Sequence, residues 1–443
     1  MNPKVVADGR ATTVVVDGSR VHQTIDGFGI SGAFGAANLI RELGDTPVRR
    51  RALDMLFSPT AGAGFSILRN LIPSDVAHTI APEPSTAPAY VWDRDDWGQL
   101  WLTRQAMSYG VRTIYACAWS APGFMKTNGD EANGGMLRSD RRRAYADYLV
   151  QYLRFYRQAG IDVSYLGFVN EPNWTTHYSS MLVDPAQAVD FVKVLGPALR
   201  ASGLATRIAC CDTLGWDLLA DYTRAVLADS AASSAVSLFT SHGYSSAPDS
   251  AVDTGGKPVW QSEWSHGEGA WNPAWDDGSE QSGFSWAENI HNGLTMARLN
   301  AFLYWWGIWH NPNSNSGLIR LDGTNVLPAK RYYTFVNYSR FIRPGAVRAG
   351  ASVGESDLRV SAFKNTDGSV VVVALNAATS AIASTCALRD VGVATGTALP
   401  YLTNGSNNTA PQPPLAVSGG TFTGIVPPRS LITYRITPRL RSS

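Results

Sequence analysis

Charge is what this chain has least of. Only 16% of its 443 residues are charged and the net formal charge is +1, so no global field draws it toward a phosphate backbone or an anionic membrane. A nucleic-acid partner is not expected. Disorder is excluded as well, because hydrophobic residues make up 44% of the chain and no charge excess opposes collapse. Cysteine is scarce: Cys117, Cys210, Cys211 and Cys386 are the four, none in C-x-x-C spacing, which argues against a metal site. The adjacent pair is expected on opposite faces of a strand. One or two disulfides remain open, and their pairing is not readable from sequence. The uncharged stretch Ser369 to Leu388 has membrane-spanning length, but Asn376 and many Ser, Thr and Ala residues suit two strands better. No transmembrane helix is expected. The start, Met1-Asn2-Pro3-Lys4, lacks the apolar run of a secretory leader. That leaves two readings: a protein that stays inside, or a secreted one whose leader has been removed.

Aromatic residues are abundant instead, with 14 tryptophans and 17 tyrosines, and flat ring faces suit the apolar faces of sugars. From Thr24 to about Ile342 the chain repeats a short apolar run, a polar turn and a segment of helical spacing, the rhythm of βα units. Eight runs recur: Thr24 to Ile30, Phe65 to Ile72, Arg112 to Ser120, Ser164 to Asn170, Arg207 to Thr213, Ser237 to Tyr244, Pro258 to Trp264 and Ala301 to Gly307. Between them, Asp140 to Gly160 places Tyr145, Tyr148, Leu149, Tyr152, Leu153 and Tyr156 at helical spacing, and Gly160 ends it. Eight units predict an α/β fold, a closed (β/α)8 TIM barrel. A doubly wound open sheet is the rival, and no G-x-G-x-x-G follows the first run to support it.

Past Pro344 the pattern changes to short alternating strands, Leu358 to Lys364, Val370 to Leu375 and Leu431 to Ile436, with Asp367-Gly368 as a turn. They read as an antiparallel β-sandwich side domain. Thr12 to Val16 and Arg20 to His22 about Asp17-Gly18 look like a hairpin that could join it, and Asn404 to Pro414 reads as loop. The expected division is a catalytic barrel over 23–343 and a sandwich over 1–22 plus 344–443.

In a barrel of this kind chemistry sits at the C-terminal ends of the strands. Two glutamates end apolar runs there: Glu171, in Val169-Asn170-Glu171-Pro172, and Glu263, in Trp260-Gln261-Ser262-Glu263. They fall on the fourth and seventh strands. Singly, each would be read as a paired surface acid. Together, facing one cleft and each close to Trp, they supply a glycosidic cleavage with a proton donor and a group for the anomeric carbon.

Several motifs carry a resemblance. Gln23-Thr24-Ile25-Asp26-Gly27-Phe28-Gly29, Gly64-Phe65-Ser66-Ile67-Leu68-Arg69-Asn70, Trp119-Ser120-Ala121-Pro122-Gly123-Phe124-Met125-Lys126, Asn170-Glu171-Pro172, Ser241-His242-Gly243-Tyr244 and Trp260-Gln261-Ser262-Glu263 together resemble glycoside hydrolase family 30. So do Ser316-Gly317-Leu318-Ile319-Arg320 and the stretch from Lys330 to Gly345. Trp119 to Gly135 is most similar to the branch known from fungal xylanases. The resemblance implies a retaining, cofactor-free hydrolase of β-1,4-xylan, with Glu171 as general acid/base and Glu263 as nucleophile. It implies a polysaccharide or oligosaccharide partner, and secretion is expected from that substrate. A monomer is expected too. The two roles call for a raised pKa on the acid and an ionised nucleophile, and retention calls for carboxyl groups about 5 to 5.5 Å apart.

Around the pair, Asn170 is expected to meet the sugar 2-hydroxyl, His242 and Tyr244 to orient Glu263, and Arg69 to hold it ionised. Trp119, Trp174, Trp264, Trp306 and Trp309, at or just past strand ends, are expected stacking platforms. Of Trp305 and Trp306, alternation sends one to the helices, and Trp306 is taken as the inward one. Asp93, Asp95 and Asp96 read as a helix cap. The first loop, Ser31 to Asn38, has no basic residue before Arg41, which speaks against dependence on a glucuronic-acid branch, the group an arginine would grip; Arg320 is the alternative grip, so xylan and glucuronoxylan both stay open as substrates. Two other readings stay open: a β-1,6-galactan or β-glucoside substrate, and a binding barrel without catalysis.

Overall fold

The computed structural model describes residues 11–84 and 89–439; residues 1–10 and 440–443 of the expected sandwich lie outside them. In chain order the first strands are β1 (Ala11–Thr24), β2 (Gly27–Ser31), β3 (Ile67–Ile72), β4 (Thr113–Ala118), β5 (Tyr165–Gly167), β6 (Arg207–Thr213), β7 (Val236–His242), β8 (Val259–Glu263) and β9 (Ala301–Trp309). Strands β2 to β9 pair in that order, all parallel, and Ala301 of β9 closes the ring by pairing with both Trp260 of β8 and Gly27 of β2. Each strand falls on one of the eight apolar runs. Residues of β3 and β8 are buried throughout, as expected for parallel strands covered on both faces.

Small residues set the spacing inside the barrel. A Cβ on Gly167 would stand 2.5 Å from the Tyr115 hydroxyl and 2.7 Å from the Cys117 sulfur, so glycine there is what lets Tyr115 cross the barrel. The helix Arg142–Gln158 buries Tyr145, Tyr148, Tyr152 and Tyr156 along one side, the face that the spacing predicts.

The second sheet runs Ala410–Pro411, Gly396–Thr403, Ser430–Pro438, Val370–Asn376, Leu358–Lys364, Val347–Val353, β1, Ile382–Arg389, Thr421–Val426. All neighbours are antiparallel except β1 with Ile382–Arg389, which run parallel from Ala11↔Ala383. The expected N-terminal hairpin does not form. β1 is one strand with a register shift between Asp17 and Val21, where the Asp17 carboxylate accepts the Ser19 N–H at 3.0 Å and its hydroxyl at 2.6 Å. With partner strands on both sides, the Asp17-Gly18 step is absorbed as a bulge rather than a reversal. The tract expected as loop holds one short pairing, Ala410–Pro411 against Tyr401 and Leu402.

Strand Val370–Asn376 joins the two bodies. Val371, Val373 and Leu375 pack into the barrel's core while Val370, Val372 and Ala374 pack into the sandwich's own core, a period of two serving two interiors. The uncharged stretch thus forms two strands, and no helix among the described residues is long and apolar enough to cross a membrane.

The adjacent cysteines depart from expectation. Cys210 and Cys211 are joined to each other by a disulfide across a cis peptide bond, rather than pointing to opposite faces. Cys117 and Cys386 are free and buried.

Candidate active site

Glu263 is the last residue of β8. Glu171 lies farther out than the apolar run suggests: the β5 ladder stops at Gly167, and Glu171 follows on the loop. Its φ is 47°, and Asp212 near the end of β6 has φ 50°. Both are left-handed conformations that a non-glycine residue adopts at a cost of about 1–3 kcal/mol. The two are tied together, the Glu171 N–H donating to the Asp212 carbonyl at 2.8 Å.

Glu171 and Glu263 are 6% and 5% exposed. A carboxylate oxygen of each and a ring nitrogen of His242 all lie within 4.8 Å of one another. Arg69, from β3, donates to Glu263 Oε2, to Asn170 Oδ1 at 2.6 Å and to Asp212 Oδ2 at 2.7 Å. Tyr244 donates to Glu263 Oε1 at 2.8 Å. Both oxygens of Glu263 therefore hold a donor, as a carboxylate requires. His242 differs from its expected role: its Nδ1 bonds Glu171 Oε1 at 3.1 Å, and its Nε2 stands 3.9 Å from both Glu263 and Asp212.

Electrostatics follow from this packing. Burial alone would lower His242, but the carboxylates of Glu263, Asp212 and Glu171 raise it to about 9, so it is a cation at neutral pH. Burial opposes ionisation of Asp212, yet Arg69 and His242 hold it well below the usual carboxylate range. Burial pushes Glu263 up, His242 and Arg69 pull it back, and Glu171 pushes it up again. The Glu263 carboxyl is thus raised from its ordinary value. The Glu171, His242 and Glu263 donors also have the grouping of a metal site. However, Arg69 and protonated His242 already set positive charge against these carboxylates, which disfavours adding a metal cation.

Above the pair opens a cleft of about 920 Å³. Trp119, Trp174, Tyr178, Trp305, Trp306 and Trp309 line it, with Phe34. Phe34 touches Trp119 at 5.6 Å, Tyr178 at 6.0 Å and Trp305 at 6.1 Å between ring centres. Trp119 is 2% exposed and stacks over the Arg69 guanidinium at 4.4 Å, whereas Trp174 is 47% exposed at the rim.

Trp264 is not part of this surface. It is 3% exposed and packs against Trp286, His266 and Phe302, because alternation turns it outward when Glu263 turns in. It sits against Gly243, where a Cβ would come within 2.3 Å of the indole. Nor does one of Trp305 and Trp306 face the helices: both line the cleft, their rings stacked at 4.8 Å. The cause is local. Gly29↔Leu303 is followed by Ser31↔Trp306, an extra residue in β9 that breaks the alternation.

Sequence reading missed Asp212, Tyr115 and Ser262. Asp212 accepts from Arg69, from Tyr115 Oη at 2.8 Å and from Ser262 Oγ at 2.7 Å. It carries the same signal as the two glutamates, an acid ending an apolar run. Phe34 and Tyr178 sit on loops and leave no such mark. The expected acidic cap divides: Asp93 accepts the N–H groups of Asp95 and Asp96, and Asp95 that of Gly98, but Asp96 is buried under tyrosines.

A family model described as glycosyl hydrolase family 59 matches residues 25–317, and one described as the glycosyl hydrolase family 30 beta sandwich domain matches residues 345–434. Among solved structures, the catalytic domain of GH30 xylanase C from Talaromyces cellulolyticus is 38% identical with a TM-score of 0.90, over 96% of this chain and 100% of that one. Glucuronoxylanase XynC of Bacillus subtilis (strain 168) is 24% identical over 77% of this chain and 78% of its own length. Endo-1,6-beta-D-glucanase neg1 of Aspergillus fumigatus is 27% identical over 80% of this chain and 78% of its own.

Proposed function

Since this chain belongs to glycoside hydrolase family 30, as the 38% identity across its full barrel and sandwich requires, we propose that it cleaves β-1,4-xylosidic bonds with retention. The observation that carries this is the meeting of two carboxylates, oxygens within 4.8 Å, at the floor of an aromatic cleft. That distance suits direct attack and leaves little room for the intervening water of an inverting enzyme. The site of action is outside the cell, on polymeric xylan, and the working unit is a monomer.

In the first step Glu263 forms a bond to the anomeric carbon as the bond to the leaving oxygen breaks, and Glu171 gives that oxygen its proton. In the second, water attacks the same carbon, Glu171 takes the water's proton, and the Glu263 ester bond breaks. Glu171 carries the proton into the first step, because positive charge developing at the sugar favours Glu263 as carboxylate. Asn170, its oxygen committed to Arg69, has its amide N–H groups to offer the 2-hydroxyl.

Glu263→Ala is expected to abolish release of new reducing ends from xylan while circular dichroism and the melting transition persist; near-normal turnover would end the assignment. The first-formed anomer, followed by NMR, is expected to be β. The likeness to a 1,6-glucanase favours a second substrate reading, and product profiles on xylan, β-1,6-glucan and β-1,6-galactan separate the two.

A further inference from the structure

The cleft has an uneven charge. Four carboxylates line it: Glu171 and Glu263 at the floor, Glu268 and Glu280 on the wall between β8 and the helix Gly283–Thr295. Glu268 is exposed, and the Glu280 side chain is 78% exposed. No lysine or arginine is among the described lining residues. The cations beneath, Arg69 and His242, are 1% and 0% exposed and engaged by Glu263, Asp212 and Glu171. His266 stands beside Glu280 at 3.3 Å; burial lowers its pKa, Glu280 opposes that and Arg331 adds to it. A negative group entering the cleft therefore meets like charge on the wall, with no lysine or arginine among the described lining residues to offset it.

We propose that Glu268 and Glu280 make this cleft selective for uncharged chains, so that xylan bearing glucuronic-acid branches is cut more slowly where a branch faces that wall. The inference rests on the xylan reading above and adds the class of xylan. The physical basis is Coulombic. Like unit charges about 4 Å apart in water repel by about 1 kcal/mol, roughly a fivefold effect for each, and salt screens it over about 10 Å at 0.1 M.

The test uses three xylo-oligosaccharides of one length: linear, carrying one glucuronosyl branch, and carrying the methyl ester of that branch, which has its shape without its charge. At 10 mM ionic strength kcat/KM for the acid is expected to be about five- to twentyfold below that for the ester. The gap is expected to shrink at least threefold at 0.5 M salt, and by a similar factor in the Glu268→Gln/Glu280→Gln double variant. An acid and ester cut at equal rates, a branch that speeds cleavage, or a ratio unmoved by salt and by the double substitution overturns the proposal. Failure to cut even the linear compound would overturn the xylan reading itself, a result distinct from equal turnover of all three.

Discussion

Two buried acids on either side of one strand behave in opposite ways. Arg69 and Asn70 are neighbours on β3, so their side chains leave opposite faces. Arg69 turns into the barrel and grips Asp212, which is fully buried and held ionised well below the usual carboxylate range. Asn70 turns outward toward Tyr156 of the helix Arg142–Gln158, in a cluster whose acid is Asp96. Asp96 Oδ2 accepts from Tyr152 at 2.6 Å, from Tyr156 and from Gln99 at 3.1 Å. Yet burial, only partly offset by those bonds, raises its carboxyl to about 7. Neutral hydroxyl donors moderate the cost of burying a carboxylate, whereas a guanidinium reverses it. Only the first kind of pocket, the one with a cation, can hold charge ready for chemistry.

Removing the cation should collapse that difference. Arg69→Met leaves Asp212 and Glu263 buried without their partner, and a broken buried pair costs about 3–5 kcal/mol. The expected outcome is a clear fall in the melting temperature together with a loss of turnover on the order of 10³-fold. A variant that melts normally and turns over xylan within tenfold of the parent would show that the guanidinium is dispensable.

A smaller effect is expected at His242. Its raised value, about 9, means the cation contributes stability that is complete below the ordinary value near 6.5 and is lost as pH rises through about 9. The same titration removes positive charge beside Glu171 and Glu263. Activity is expected to fall along an alkaline limb with an apparent pKa near 9. His242→Asn should lower kcat about 10- to 100-fold and erase that limb. A limb that persists in the variant would assign it to another group.

The contrast also explains what could be read from the chain beforehand. Eight apolar runs gave eight strands because parallel strands buried on both faces write themselves as continuous hydrophobic sequence. Glu171 and Glu263 were legible because an acid at the end of such a run has no structural reason to be there. Asp212 has the same signature, directly after Cys210-Cys211. Trp305 and Trp306 show the limit of periodicity: a one-residue bulge in β9 brings two successive tryptophans to one surface, and no local pattern announces a bulge. His242 stands beside both acids but bonds Glu171 rather than Glu263. Which of two acids a side chain reaches depends on loop geometry past Gly167, and that is set by contacts distant in sequence.

The smallest effect is expected on the other side of β3. Asp96, being raised to about 7, favours the folded state fully below its ordinary value of 3.8, and that contribution fades as pH climbs toward 7. Above it the fold carries a buried charge faced by hydroxyls and an amide. Asp96→Asn keeps an oxygen for Tyr152, Tyr156 and Gln99 and can never ionise. The melting temperature of the variant is therefore expected to lose less than the parent's between pH 5 and pH 8.5, by about 3 °C for a contribution of about 3 kcal/mol in a chain of this size. Turnover should change by less than about twofold, since Asp96 does not line the cleft and its neighbour Trp97 meets Phe34 edge-on at 6.1 Å. Parallel melting curves would mean that Asp96 is ionised in the fold across this range, and that three neutral donors suffice where β3's other face uses an arginine.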